Sequence, residues 1–410
     1  MLYRILNVTL GLDIDRPLGP LLLVSFLSTV AFSALWSFIG IWAASMMHAS
    51  STTIGIMYAL DALAAAITGY LGGRLSDRMG RKRAISIAWG AESLASIALG
   101  FDGHHLIFGI IMVVIAGGAS GPGFAATNAL VGDLVPESRQ ESGYGTLRVI
   151  SNIGYVIGPP LGGIALVGRD WAVFFFGIAA MGLISAFVAF TRLPIDHLNR
   201  LVVFRENGNL RTLLRDIPFV LLLLSTFAGF VVYVAYEVML PIATVTSYGL
   251  SPASWGILAM IDPLLVVALQ ARITKVVSKV SMKRKLSGAL VLMGIPFLLL
   301  FLRGTGWSIA LVITLFAVGE MIWSPAAQGM AASLAPDGNR GAYMGAFGAS
   351  GSAAWAIGPL VDLHLRGSLG ISAAWAFTAV TGMVAAILGA ASVRIVQRYG
   401  SETNQMTPDA

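Results

Sequence analysis

The apolar positions of this 410-residue chain fall into long runs that are separated by short polar connections. There are about twelve runs of roughly 18 to 26 residues, the length that a helix needs to cross a hydrocarbon core of about 30 Å. The predicted spans are 19–44, 52–72, 84–101, 106–131, 143–167, 171–191, 218–247, 252–272, 286–303, 307–334, 341–363 and 371–393. The pattern predicts an all-α integral membrane protein with twelve transmembrane helices, the first of them retained and not a cleaved signal.

Composition supports a membrane protein and excludes several classes of site. The chain is 57% hydrophobic and 11% charged, with a mean hydropathy of +0.81, which is more apolar surface than one soluble core could bury. It has no cysteine, so disulfides, thiolate metal sites and thiol catalysis are excluded. The five histidines lack metal-ligand spacing, and no P-loop pattern occurs. We therefore predict no enzyme, no cofactor and no ATP-driven step.

Basic residues are distributed unequally between the two sides of the predicted bundle. All but three of the 26 lysines and arginines lie on the side of the N-terminus, and the exceptions are Arg169, Arg303 and Arg366. By the positive-inside rule, both termini are expected in the cytoplasm of a multi-pass plasma (inner) membrane protein. The net charge of +6 is thus a topology signal, and we predict no nucleic-acid partner.

An internal repeat divides the chain into two halves. Residues 55–84 align with residues 256–285 at a shift of 201, and residues 136–145 and 158–163 align with 336–345 and 358–363 at a shift of 200. The repeat predicts a six-helix bundle over 1–191, a cytoplasmic linker over 192–217, a second bundle over 218–394 and a cytoplasmic tail over 395–410. Such repeats commonly hold a substrate site between the halves, near the midplane.

Two motifs resemble those of a known family. The segment "GRLSDRMGRKR" (73–83) resembles the loop 2–3 signature of the major facilitator superfamily, and "GTLRVISNIGYVIGPPLGG" (145–163) resembles the antiporter signature of its drug:proton antiporters. The resemblance implies the major facilitator fold, with two pseudo-symmetric bundles. It further implies proton-coupled export of drugs. One departure concerns helix 4, where "IIMVVIAGGASGPG" (110–123) lacks the arginine that usually precedes the glycine pair.

Each motif has a physical interpretation. In the first, we predict a conformational latch in which Asp77 bonds Arg81 and the N-terminus of helix 11 in one state. The latch residues are Gly73, Asp77, Arg78, Gly80 and Arg81. In the second, Gly154, Gly158 and Gly162 form a smooth stripe for close helix packing. The resemblance implies that this motif helps to seal the two halves against leak, and its residues are Gly145, Gly154, Gly158, Pro159, Gly162 and Gly163.

Acidic residues inside predicted spans are candidates for proton coupling or cation binding, because a charge in lipid is costly. Asp61 on helix 2 and Asp262 on helix 8 are related by the repeat. Glu320 on helix 10 and Glu237 on helix 7 lie in contexts that resemble those of LmrP-like multidrug exporters, whose counterparts bind protons and cations. Structural pairing remains an alternative for each acid. Glu92 on helix 3 is a further, weaker candidate.

Aromatic side chains offer flat faces for cationic or lipophilic molecules. The candidates are Trp36, Tyr233, Tyr236 and Trp323, and packing is the alternative interpretation for each. Arg148, within about one turn of the cytoplasm, is open to two interpretations, pairing with a cavity acid or extending to lipid headgroups.

The leading hypothesis is a monomeric secondary transporter that exports lipophilic, cationic compounds by proton antiport. Its partners are a small-molecule substrate, protons and the bilayer. An exporter or flippase of a lipid-like or metabolite substrate on the same scaffold is the alternative. A membrane receptor is disfavoured because the connections are too short for a soluble domain.

Overall fold

The structure is a computed structural model that describes residues 18–102, 105–136, 139–168, 170–194, 213, 215–301, 304–336 and 339–405. Most of the predicted linker lies outside these residues. The described residues form twelve helical spans, which follow the twelve predicted ones. Their bounds are α1 Gly19–Ser45, α2 Ser51–Met79, α3 Arg81–Asp102, α4 Leu106–Leu134, α5 Gln140–Ala165, α6 Trp171–Arg192, α7 Ile217–Thr246, α8 Pro252–Lys279, α9 Met282–Phe301, α10 Gly306–Leu334, α11 Arg340–Leu369 and α12 Ile371–Gln405.

Ten of these helices, within the described residues, are long and apolar enough to cross a membrane. The other two are α5 and α11, with 26 and 30 residues. Both are long enough to span, but they carry many glycine and serine residues, which lower their mean hydropathy. The all-α membrane fold that the apolar pattern predicts is therefore confirmed.

Prolines interrupt three helices in the second half of the sequence. A proline inside a helix cannot donate a hydrogen bond to the carbonyl four residues before it, and its ring crowds that carbonyl. Pro241 follows a π turn at Ala235–Met239 in α7, and Pro263 follows a break at Met260 in α8. Pro296 opens a 3₁₀ segment at the end of α9. The π turn contains Glu237, whose carbonyl is the one that Pro241 leaves without its usual donor.

The charged motif between α2 and α3 is helical, and the expectation of a loop over it was wrong. Helix α2 continues to Met79 and α3 begins at Arg81, so that Gly80 is the whole connection. Gly80 has a φ of 92°, a left-handed conformation that glycine adopts without steric cost. Hydropathy marks where the apolar stretch ends, whereas the helix itself continues into charged turns that water can solvate.

The described helices group into two compact units. Unit 1 comprises Met1–Val202 with Thr244–Val267, and unit 2 comprises Val203–Ala243 with Ala268–Ala410. The first part of α8 belongs to unit 1 because it packs on α5 and α1. A Cβ built on Gly256 would lie 2.6 Å from the carbonyl oxygen of Pro159, and Trp255 Nε1 donates to the carbonyl of Ser37 at 3.1 Å. The predicted bundle boundaries therefore stay a prediction.

Candidate functional site

Unit 2 contains a cluster of six aromatic rings, which we call the unit-2 aromatic cluster. Tyr233 on α7 is its centre, with ring centroids 5.5 Å from Phe316, 6.1 Å from Trp355 and 6.2 Å from Tyr236. Phe230 contacts both Tyr233 and Trp323, and the ring centroids of Phe230 and Trp323 are 5.0 Å apart. The structure thus brings together three aromatic residues that the sequence singled out, and adds Phe230, Phe316 and Trp355.

The members of this cluster differ in accessibility. Trp323 is 2% exposed and fills the space beside Gly229, where a Cβ would lie 2.7 Å from the indole ring. Tyr236 is also buried, whereas Tyr233 and Trp355 are partly exposed. Trp323 therefore packs α10 against α7 in this conformation. The accessible ring surface belongs to Tyr233, Trp355 and Phe230, which is also partly exposed.

Glu320 and Glu237 are placed at this cluster by their helices. Glu320 lies on α10 one turn after Phe316 and three residues before Trp323, and both of those rings belong to the cluster. Glu237 follows Tyr236 in the π turn of α7. Both glutamates are partly exposed. Two acidic residues thus lie on helix turns that carry rings of this cluster. A carboxyl group together with an aromatic surface is a suitable combination for a cation with an apolar body.

Unit 1 holds a different pair of acids. Asp61 on α2 and Glu92 on α3 are each 4% exposed, and the two carboxyl groups are close enough to interact electrostatically. Asp61 lies against Gly117 on α4, where any side chain would overlap its carboxylate. Gly117 is the first glycine of the pair in segment 110–123, where the arginine that usually precedes this pair is absent. It leaves room for the carboxyl group of Asp61. Sequence reasoning identified both residues but did not predict that they interact.

Aromatic residues also lie on the helix turns that precede these two acids. Trp36 on α1 lies 5.8 Å from Phe32 and 5.1 Å from Tyr58, one turn before Asp61. Trp89, one turn before Glu92, lies 5.3 Å from Phe124. Trp36 is partly exposed, whereas Tyr58 and Trp89 are buried.

Asp262, the repeat counterpart of Asp61, is 6% exposed and lies two residues after the break in α8. It belongs to unit 1, as Asp61 does. The repeat therefore relates the two residues in sequence, but the break in α8 gives Asp262 a different local backbone. The symmetric role that the repeat suggests for the two acids stays a prediction.

Sequence reasoning missed Asp362, near the end of α11. Its side chain is 1% exposed, and neither carboxyl oxygen has a hydrogen-bond partner among the described residues. The available signal was an acid inside the predicted span 341–363. Because Asp362 lies close to the end of that span, the sequence pattern favoured an exposed side chain for it.

The glycines of the antiporter motif pack α5 on two neighbours within unit 1. A Cβ on Gly154 would lie 2.9 Å from Thr29, one on Gly158 would overlap Ser33, and one on Gly162 would lie 2.9 Å from the ring of Phe38. This stripe therefore faces α1. Gly163 instead faces α8, where a Cβ built on it would lie 3.0 Å from Cα of Ala253. Gly145 has open space around it.

The latch motif contains one ion pair that sequence reasoning did not predict. Arg81 Nε donates to Asp133 Oδ2 on α4 at 3.3 Å, and its guanidinium also contacts Ser76 Oγ. Arg78 is exposed. The side chain of Asp77 lies outside the described part of the structure, so the predicted bonds of Asp77 stay a prediction, as does the role of Gly73. Arg148 is exposed and forms no ion pair within the described part of the chain.

Comparison with known proteins identifies the family. The family model of the Major Facilitator Superfamily matches residues 21–359. The uncharacterized MFS-type transporter YttB of Bacillus subtilis is 24% identical over 87% of this chain and 90% of its own length. The multidrug resistance protein MdtH of Klebsiella pneumoniae is 28% identical over 80% of this chain and 82% of its own length.

Solved structures agree on the fold. A POT family transporter in complex with 5-aminolevulinic acid has a TM-score of 0.77 and 17% sequence identity, covering 94% of this chain and 96% of its own. At that identity the likeness concerns the architecture of the backbone and not the substrate.

Proposed function

Because the chain belongs to the Major Facilitator Superfamily, whose members are transporters, we propose that it exports lipophilic, cationic compounds in exchange for protons. The chain is a multi-pass membrane protein, and the family and the apolar helices both support this. The direction of transport, the proton coupling and the cationic substrate class are the parts that we propose.

The observation that carries the proposal is the placement of Glu320 and Glu237 at the unit-2 aromatic cluster. Tyr233 and Trp355 present ring faces, and a cation over such a face is stabilised by the ring quadrupole, by about 2 kcal/mol or more when water is excluded. A nearby carboxylate attracts the same cation, and its protonation removes that attraction. A proton and a cationic substrate then compete for one place, which is the requirement of an antiporter.

Multidrug resistance proteins among the relatives support a drug-like substrate, although the identities are low. In the cell we propose an inner-membrane monomer with both termini in the cytoplasm, on the basis of the lysine and arginine distribution. Alternating exposure of the substrate site to the two sides of the membrane would then couple an inward proton gradient to outward transport.

The first prediction tests Glu320 with Glu320→Gln, which keeps the shape of the side chain and removes its charge. Purified protein is reconstituted in liposomes, and uphill transport of the monocationic dye ethidium is driven by an imposed pH gradient. We expect the variant to lose gradient-driven transport by at least about tenfold, a change of about 1.4 kcal/mol in transition-state stabilisation. We also expect wild-type protein in lightly buffered detergent to release protons when ethidium binds.

Asp170→Asn is the matched control, because Asp170 is an exposed carboxylate that caps α6 and asparagine caps a helix equally well. This control should transport at the wild-type rate. Full gradient-driven transport by Glu320→Gln would overturn the assignment of Glu320. Transport of a neutral lipid analogue with no response to ethidium in the wild type would instead favour a flippase.

A further inference from the structure

The carboxyl group of Asp362 has no role in the site described above, and its position follows from the contact between α11 and α7. One stripe of α11 faces α7: Gly351 lies against Phe230, Trp355 contacts Tyr233, and a Cβ built on Gly358 would lie 3.0 Å from the side chain of Val234. Asp362 follows Gly358 by four residues and so continues this stripe by one turn. The next turn of α7 is the π turn Ala235–Met239, and α11 packs against it.

The internal repeat explains how an acid is accommodated at this place. At the shift of 200, Asp362 corresponds to Gly162 of unit 1, which lies against the rings of Phe38 and Phe174. At the same shift Phe174 corresponds to Ala374 on α12, which packs against α11 and is fully buried. Unit 2 thus has Asp362 where unit 1 has Gly162, and it has Ala374 where unit 1 has Phe174. The exchange fills a similar space with a carboxyl group.

The register of this comparison is supported by contacts in both units. Gly182 on α6 lies against Ser93 on α3, and Gly382 on α12 lies against Gly294 on α9, at the corresponding places. The alignment of α6 with α12 therefore holds in the packed structure as well as in the sequence.

The surroundings of Asp362 determine what it can bind. A buried carboxylate without a counter-ion or hydrogen-bond donor is very costly, whereas the neutral acid is tolerated. A metal ion would require several further oxygen ligands, and the described residues contain no group of three or more acidic, histidine or cysteine side chains that could hold one. No ion pair joins Asp362 to Arg366, one turn further along α11.

We propose that Asp362 is a second proton-binding site, separate from Glu320 and enclosed between the π turn of α7 and α12. The proposal deepens the proposed function and rests on it for the place of this proton in the transport cycle. A π turn inside an α-helix is a frequent feature of functional sites. Movement of the π turn away from α11 would admit water to Asp362 and release the proton.

Other titratable groups on the helices packed against α11 limit the interpretation of any pH dependence. Within the described spans, α7 carries Tyr233, Tyr236 and Glu237, and α10 carries Glu320. Arg394 and Arg398 of α12 lie at the opposite end of that helix from Ala374. Each of the two glutamates therefore needs its own variant in the measurement.

The test is the infrared carbonyl band of a protonated carboxylic acid, recorded on purified protein at neutral pH. We expect a band in wild-type protein that shifts in D₂O, and one component of it should be lost in Asp362→Asn, an isosteric change that keeps the packing. Glu320→Gln and Glu237→Gln should each leave this component in place. Asp170→Asn is the matched control for an exposed carboxyl group, and its spectrum should match the wild type in this region.

Two outcomes would overturn the proposal. If Asp362→Asn folds and its protonated-acid band equals that of the wild type, Asp362 holds no proton. If it folds and releases as many protons as the wild type when ethidium binds, the proton of Asp362 takes no part in the cycle. Should the asparagine variant fail to fold, Asp362→Ala replaces it in both measurements, since alanine leaves the helix intact.

Failure of the proposed function gives a different result. A wild-type protein that releases no protons with ethidium contradicts the proposed antiport, while the infrared comparison still decides whether Asp362 is protonated. The two conclusions are therefore separable in one set of variants.

Discussion

The two units place their buried acids in different surroundings. In unit 1, Asp61 lies beside Gly117 and interacts electrostatically with Glu92, whereas in unit 2 Asp362 is buried and its carboxyl oxygens have no hydrogen-bond partner among the described residues. Two buried carboxyl groups that interact repel each other when both carry a charge, so a change in one affects the other. The same scaffold thus supports a coupled pair in one unit and an isolated acid in the other.

The units also differ in how tightly their small residues are packed. In unit 1, a Cβ on Gly158 would overlap Ser33 and lie 2.6 Å from the backbone carbonyl of Val30. In unit 2, the three atoms nearest to a Cβ on the repeat counterpart Gly358 would all belong to the side chain of Val234, the first of them at 3.0 Å. A side chain can adjust its rotamer, whereas a helix backbone can yield only by moving the whole helix. Unit 1 therefore tolerates less change at this contact.

The largest predicted effect tests this difference in packing between the two units. Gly158→Leu should prevent α5 from reaching α1, with a destabilisation above the ~1–3 kcal/mol typical of overpacking. Gly358→Leu should cost less, toward the lower end of that range, because Val234 can rearrange. The measurement is the midpoint of thermal aggregation of each purified variant, with the yield of monodisperse protein as a second readout. Equal losses in the two variants would contradict the difference in packing.

A smaller effect should reveal the difference between coupled and isolated acids. Asp61→Asn and Glu92→Gln are combined in a double-mutant cycle, with the initial rate of ethidium transport as the readout. Residues that interact directly show coupling energies of about 0.5–3 kcal/mol, so the double variant should lose much less than the product of the two single losses. Asp362→Asn combined with Asp61→Asn serves as the control cycle, and we expect it to be additive. Additivity in both cycles would mean that the unit-1 pair does not act as one site.

The apolar pattern predicted the helices well because each span must fill the same hydrocarbon thickness, and this constraint is local in sequence. The aromatic cluster was predicted in part, since Tyr233, Tyr236 and Trp323 were chosen for their ring faces. The burial of Trp323 on α10 depends on Gly229 and Phe230, which lie on α7. Packing of that kind is a tertiary property that periodicity does not contain.

Asp362 and Asp133 show where sequence reasoning fails. Asp362 lies near the end of its predicted span, where hydropathy cannot distinguish a side chain in water from one enclosed by α7 and α12. Asp133 is distant in sequence from Arg81, and only the packing of α3 on α4 brings the two together. The repeat gave a usable signal for the first residue, because it pairs Asp362 with a glycine. The repeat gave no such signal for Asp133.

The smallest predicted effect concerns this ion pair, which unit 2 lacks. At the shifts of the repeat, Arg81 corresponds to Met282 and Asp133 to Ser333, so neither charge is present in unit 2. The pair is partly solvated, with side-chain exposures of 16% for Arg81 and 44% for Asp133, and pairs of this kind contribute about 0–1 kcal/mol. Asp133→Ser, which gives unit 1 the residue of unit 2, should therefore lower the thermal midpoint slightly.

That loss should shrink as salt is raised, because exposed charges are screened within about 8 Å at physiological ionic strength. The matched control is Asp170→Asn, whose carboxylate is equally exposed but forms no ion pair with a described residue. A loss in Asp133→Ser that is large and independent of salt would contradict a solvated pair. It would indicate instead that the ion pair holds the start of α3 and the end of α4 in one arrangement, as a part of the predicted latch.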